Sequence, residues 1–236
     1  NNPEDIIAYC ERLINQGDYG EAMGILAGLN INGDDENSAL LRKKVADLIR
    51  YGYGKALADG KVDEILEKIA DLEAKGKYGD TLKLIAIGTD LASDDENTKA
   101  LKDKLRALEK SIVDKAVAEG KAQEVIDAAK QLIYADEEIP AAELLSLLDI
   151  KGNSTEARMM RNQIYALKKE AVKKAIENGR GNELLDAIAA MNERGNSVEA
   201  LELLSYIEVK GEGEESDALR GRLSKLKEEA IDKAFE

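Results

Sequence analysis

The residues of this chain that could do chemistry are a basic series, an acidic run and a single thiol. The basic series is Arg42, Lys102, Arg161 and Arg220, one cation at the same place in four successive segments. A ladder of cations along an elongated protein could bind an acidic peptide or another anionic linear partner. The competing reading is that these cations pair with acids on adjacent helices, or keep the surface of an acidic chain soluble. The acidic run is Asp34, Asp35, Glu36 and Asn37. A calcium loop of the helix–loop–helix kind needs oxygen ligands at alternate positions, Gly at position 6 and Glu at position 12. Here Asn30, Asn32 and Asp34 alternate, but Gly33 falls at position 4, so capping of a helix start accounts better for the run. The thiol, Cys10, has no His anywhere in the chain to activate it, and it shares a column with Ile69, Ala129 and Ile188, which marks it as a small core residue.

Composition narrows the chemistry further. The 236 residues contain no His, no Trp, one Cys, one Phe and two Pro. The lack of His excludes a Ser-His-Asp triad and any imidazole metal site, and one Cys excludes an internal disulfide. With 48 acidic and 34 basic residues the net charge is −14 at pH 7, which argues against nucleic acid or an anionic membrane as partner. No apolar run is long enough to span a bilayer, no signal peptide opens the chain, and a cytoplasmic setting (or recombinant cytoplasmic expression) is expected. The phosphate-binding patterns GxxxxGK[ST] and GxGxxG are both absent.

The elements that must position these residues come from a repeat. The chain divides into units 1–59, 60–119, 120–178 and 179–236. Aligned columns read Leu41, Leu101, Met160, Leu219; then Val45, Leu105, Ile164, Leu223; then Leu48, Leu108, Leu167, Leu226; then Ala56, Ala116, Ala175, Ala234. Spacings of three and four place them on one face of a helix. Each unit reads as three helices, A, B and C; in the second unit these are about 62–75, 79–91 and 95–118. Gly60, Gly120 and Gly179 are predicted to end helix C in a left-handed conformation. Gly17, Gly76 and Gly195 are predicted to end helix A, with Asp136 standing in for Gly in the third unit. Ser93 with Glu96, and Asn153 with Glu156, are expected to cap helix C. The column of Leu57, Val117, Ile176 and Phe235 is expected in the core. Gly52 and Gly54, inside a helix, are expected to permit close helix contact, a kink or a small pocket. A triplet under 60 residues buries only part of its apolar surface, so the units must stack. The expected fold is therefore all-α: an α-solenoid of four three-helix repeats of about 59 residues, elongated or gently curved, forming the single domain 1–236.

Two resemblances follow from these residues. Gly17-Asp18-Tyr19 with Ala22, Gly76-Lys77-Tyr78 with Thr81, and Gly195-Asn196-Ser197 with Ala200 resemble the A-to-B turn of tetratricopeptide-type repeats. The period of about 59, the third helix and the missing aromatic positions of the first helix depart from that family. The resemblance implies a solenoid that binds peptides or proteins on a concave face, and it transfers no individual binding residue. The chain also resembles an engineered or idealised helical protein, because helix starts and stops obey capping and charge rules throughout. The expectation for function is a non-enzymatic structural scaffold, with no cofactor, no metal and no required partner. The alternative is a peptide- or protein-binding adaptor. Paired acids alone could serve hydrolysis, but no constellation singles out two of them.

Overall fold

The computed structural model describes residues 2–33 and 35–235. The described residues form twelve α-helices and no strand. In chain order they are α1 (Pro3–Gln16), α2 (Tyr19–Gly28), α3 (Glu36–Ala58), α4 (Val62–Ala74), α5 (Tyr78–Thr89), α6 (Glu96–Ala118), α7 (Ala122–Tyr134), α8 (Glu138–Ser146), α9 (Thr155–Glu177), α10 (Gly181–Glu193), α11 (Ser197–Ser205) and α12 (Glu214–Ala234). They are four A–B–C triplets, and the protein is an all-α helical-repeat protein. None of these helices is long and apolar enough to cross a membrane. The chain forms two compact units, Asn1–Asn153 and Ser154–Glu236. The third triplet is divided between them, with α7 and α8 in the first unit and α9 in the second.

The helix ends have local causes. Every helix A stops at a left-handed residue: Gly17 (φ +87°), Gly76 (+67°), Asp136 (+61°) and Gly195 (+86°). Gly60, Gly120 and Gly179, at +67°, +74° and +74°, follow helix C in the same way. Asp136 keeps the register because its short polar side chain tolerates that region. After helix C the recurring alanines accept the closing bond: Lys61 N–H donates to the Ala56 carbonyl at 2.8 Å, Lys121 to Ala116 at 2.7 Å and Arg180 to Ala175 at 2.8 Å. The starts of helix C differ from expectation by one or two residues. Asp35, Asp95 and Ser154 are the capping residues, accepting from the backbone N–H of Ser38, Thr98 and Ala157. Ser93 instead supports the cap, its hydroxyl donating to Asp95 at 2.5 Å.

Within the first unit the repeats stack in chain order, as in an α-solenoid. Helix α5 lies at the centre, touching α2, α3, α4, α6, α7 and α8. It is buried without interruption from Thr81 to Thr89, which is why its sequence Thr-Leu-Lys-Leu-Ile-Ala-Ile lacks a polar face. Helix α3 of the first repeat also touches α7 of the third, so contact is not confined to neighbouring repeats. The turn tyrosines close each of the first two repeats on itself. Tyr19 hydroxyl donates to Asp59 at the end of α3, and Tyr78 hydroxyl donates to Glu119 at the end of α6 at 2.7 Å. Lys121 lies over the Tyr78 ring and donates to the Gly76 carbonyl at 3.1 Å.

In the second unit α10 and α11 pack on each other and both touch α9 and α12. Leu167 and Leu226 are buried there, as Leu41 and Leu101 are in the first unit, while Leu48 and Leu108 are half-buried. Phe235 departs from its expected place in the core and is 87% exposed. It is the C-cap residue beyond the last turn of α12, whereas Leu57, Val117 and Ile176 lie inside their helices; these three are only half-buried, so the column borders the core without entering it.

The paired glycines of α3 behave differently. A Cβ on Gly52 would stand 1.9 Å from the Met23 methyl and 3.3 Å from Ile14 Cδ1, whereas one on Gly54 would meet nothing within 4 Å. Gly52 therefore permits close contact with α1 and α2, and Gly54 only weakens the helix. Gly54→Ala is expected to raise stability by about 1 kcal/mol. Gly52→Ala is expected to be worse than Gly54→Ala by at least about 1 kcal/mol, because fully buried Met23 must move. Urea unfolding of the two variants checks both.

The pH profile follows from buried acids. Burial, with a smaller contribution from Glu21, pushes the Cys10 thiol up to about 11. Burial and the bond to Asp59 push the Tyr19 phenol up to about 12. Both groups keep their protons longer when folded. Their contribution is full below the unfolded values of about 8.5 and 10 and is lost as pH rises toward 11 and 12. Asp95, held below its usual range by bonds from Ser93 and Thr98, has the opposite sign: its contribution is present above about pH 4 and lost in acid. Unfolding free energy measured by denaturant is expected to be flat from about pH 5 to 8 and to fall on both sides.

Candidate functional site

Long helix α3 carries two arginines across the first unit. Arg42 donates through Nη1 to the carbonyls of Ile31 at 3.1 Å and Gly33 at 2.8 Å, and through Nε to the Tyr134 carbonyl at 3.4 Å. Its guanidinium lies over the Tyr134 ring. Two turns later Arg50 forms a bidentate pair with Glu137, at 2.9 and 2.7 Å, and stands 3.5 Å from Asp90 and 3.8 Å from Asp47. Both arginines thus tie the first repeat to the third. Glu137 is almost fully buried, so the ion pair is partly withdrawn from water.

Between these two ties, α5 supplies Lys83, which is 9% exposed. Its ammonium reaches Asn30 Oδ1 at 3.2 Å, Gln131 Oε1 at 3.1 Å and Asp80 Oδ1 at 3.4 Å. Burial pushes Lys83 below the usual lysine range, and Asp80 opposes the shift. Lys83 and Gln131 line two spaces at once. One is a half-open chamber of about 40 Å³ whose apolar wall includes Leu26, Val45, Ala46, Ile49, Ile87 and Leu132. The other is a polar groove of about 340 Å³ that includes Asp80, Glu124 and Asp127. The arrangement is an apolar recess bordered by the cation of Lys83 and the amide of Gln131, where three repeats meet.

The second unit holds a separate groove of about 550 Å³ beside α9, lined by Lys169, Lys173, Ile176, Tyr206 and Lys210, among others. Below it Lys168, buried, pairs with Glu202 at 2.7 Å, and Glu202 also accepts from the Tyr206 hydroxyl at 2.7 Å. Burial and that bond push the Tyr206 phenol upward.

Three members of the basic series reach from helix C to loop carbonyls. Arg220 donates to the carbonyls of Val209 at 3.4 Å and of Gly211, the same offsets at which Arg42 reaches Ile31 and Gly33. Lys102 reaches the Ser93 carbonyl at 3.4 Å, and Arg161 is partnered too. Of the acidic run, Asp35 caps α3, and Asp34 lies outside the described residues. Among the described residues no group of three or more Cys, Asp or Glu is arranged to hold a metal ion. Cys10 is fully buried with Ile69, Ala129 and Ile188, as its column requires.

Sequence reasoning passed over Lys83, Arg50, Glu137 and Gln131. One signal was present: Lys83 is the lone cation in an otherwise apolar helix B. Arg50 and Glu137 carried none, because 87 residues separate them.

No protein-family model matches the chain, and no curated protein matches it. Among solved structures the chain is similar to a circular tandem repeat protein with novel repeat topology and enhanced subunit contact surfaces, at 17% identity and a TM-score of 0.30. The match covers 98% of this chain and 51% of that one, so this chain spans about half the length of that protein.

Glu137→Gln removes one partner of the Arg50 pair and leaves a partly buried guanidinium. It is expected to cost about 2 kcal/mol. Arg50→Met, which removes the other charge and keeps much of the volume, leaves Glu137 buried without that partner and is expected to cost at least as much. Urea unfolding of both variants measures the effect.

Proposed function

We propose that the chain is a non-enzymatic helical-repeat scaffold of an engineered, tetratricopeptide-like type, with no natural substrate. One observation carries this reading: cations that could have formed a binding ladder are used on the chain's own loops, at the same offsets in Arg42 and Arg220. The recurring left-handed endings of helix A in all four triplets and of helix C in the first three support the engineered character. A second reading, a peptide-binding adaptor, draws on the polar groove of the first unit, which lies at the meeting of three repeats.

One experiment separates the readings. Arg42→Gln and Arg220→Gln are combined, and the variant is compared with the parent by thermal unfolding and by titration with poly-glutamate. The scaffold reading expects a parent midpoint above about 65 °C, a lower midpoint in the variant, and no poly-glutamate binding by either. Unchanged stability together with binding that the substitutions abolish would favour the adaptor.

A further inference from the structure

We propose that the chamber in the first unit is a binding site for a small carboxylate with a short apolar tail, the tail seated among Leu26, Ile49, Ile87 and Leu132 and the carboxylate on Lys83 Nζ. The reading concerns a ligand and is independent of either functional reading above.

The chamber has two chemically distinct ends. Its wall is apolar, and its polar side chains are Arg42, Lys83 and Gln131. A water at the apolar end, away from these three side chains, would lack the two to four polar partners that hold buried water in place. An amphiphile satisfies both ends. Size limits the choice: an apolar cavity of roughly 150 Å³ holds the six carbons of benzene, so about 40 Å³ admits about two carbons of a straight chain, with the carbon next to the carboxylate at the mouth, and not a ring.

The surroundings of Lys83 suit an anion. Two of the three acceptors around Lys83 are neutral amides, Asn30 at 3.2 Å and Gln131 at 3.1 Å. Each amide carries a donor and an acceptor on one rotatable group. Turned toward the lone ammonium they present oxygen; turned over, they present NH₂ to a carboxylate bound beside it. The carboxylate then gains a charge-assisted bond from Lys83 and two further donors. Burial, which disfavours the ammonium, is offset by the incoming anion. Asp80, 3.4 Å from the ammonium, already offsets part of its charge, and Glu124 and Asp127 line the groove further out, so a second negative charge on the ligand would be repelled. The site selects a monocarboxylate whose head stops at Lys83.

The test is calorimetric titration of the intact chain with sodium butyrate, n-butylamine, formate and succinate. Butyrate is expected to bind at about 1 mM, in keeping with its six non-hydrogen atoms. Butylamine (the same four carbons in all, with opposite charge), formate (the head without a tail) and succinate (a second charge) are each expected to bind at least roughly tenfold more weakly. Lys83→Met is expected to weaken butyrate at least roughly tenfold, and Ala46→Leu, which fills the chamber, to abolish binding. Circular dichroism establishes that each variant is folded, and the four ligands on the parent chain decide the matter if a variant is not. The proposal is overturned by no butyrate binding at about 20 mM, by butylamine or formate binding as well as butyrate, or by a folded Lys83→Met variant that binds it unchanged.

Discussion

Each helix triplet here is too small to cover its own apolar side, and the chain resolves this by turning sharply at a left-handed residue and laying the next helix against the last. The turn angle at Gly17, Gly60 and their counterparts decides which helix faces meet. In the first unit the result is a helix, α5, enclosed by six others. Full enclosure explains both its apolar composition and the need to satisfy the one cation it carries, Lys83. The alanines that accept the bond closing helix C are buried at the same places, so the turn and the core are set by the same residues.

Several polar side chains in this protein fix helix ends and loops. Tyr19 and Tyr78 tie the start of helix B to the acid ending helix C. Arg42 and Arg220 satisfy carbonyls of the loop between helices B and C, which has no regular secondary structure to pair with. Basic residues in the first half of a helix run against the dipole preference. Here the carbonyls they reach supply the compensation.

Much of the fold was legible in the sequence because its causes are local. Helix stripes, left-handed endings and the substitution of Asp136 for Gly all follow from a few neighbouring residues. Helix C was placed correctly even where its cap was assigned to Ser93 in place of Asp95; two capping side chains stand two residues apart, and the bond from the Thr98 backbone N–H to Asp95 ranks them. Phe235 was misplaced because a column alignment does not show where the last helical turn ends. The chamber was illegible for a different reason. It is built from α2, α3, α5 and α7, and the contact of α3 with α7 depends on rotations accumulated over two repeats, which no local pattern records.

That contact between first and third repeats has a kinetic meaning. In an ordinary repeat array each module touches only its neighbours, and folding can start anywhere and spread. The Arg50–Glu137 tie closes a segment of 87 residues, and the entropy of closing it must be met before the tie contributes. The helices from α1 to α8 should therefore assemble late and together, so that removing the middle triplet would delete a keystone rather than shorten a series.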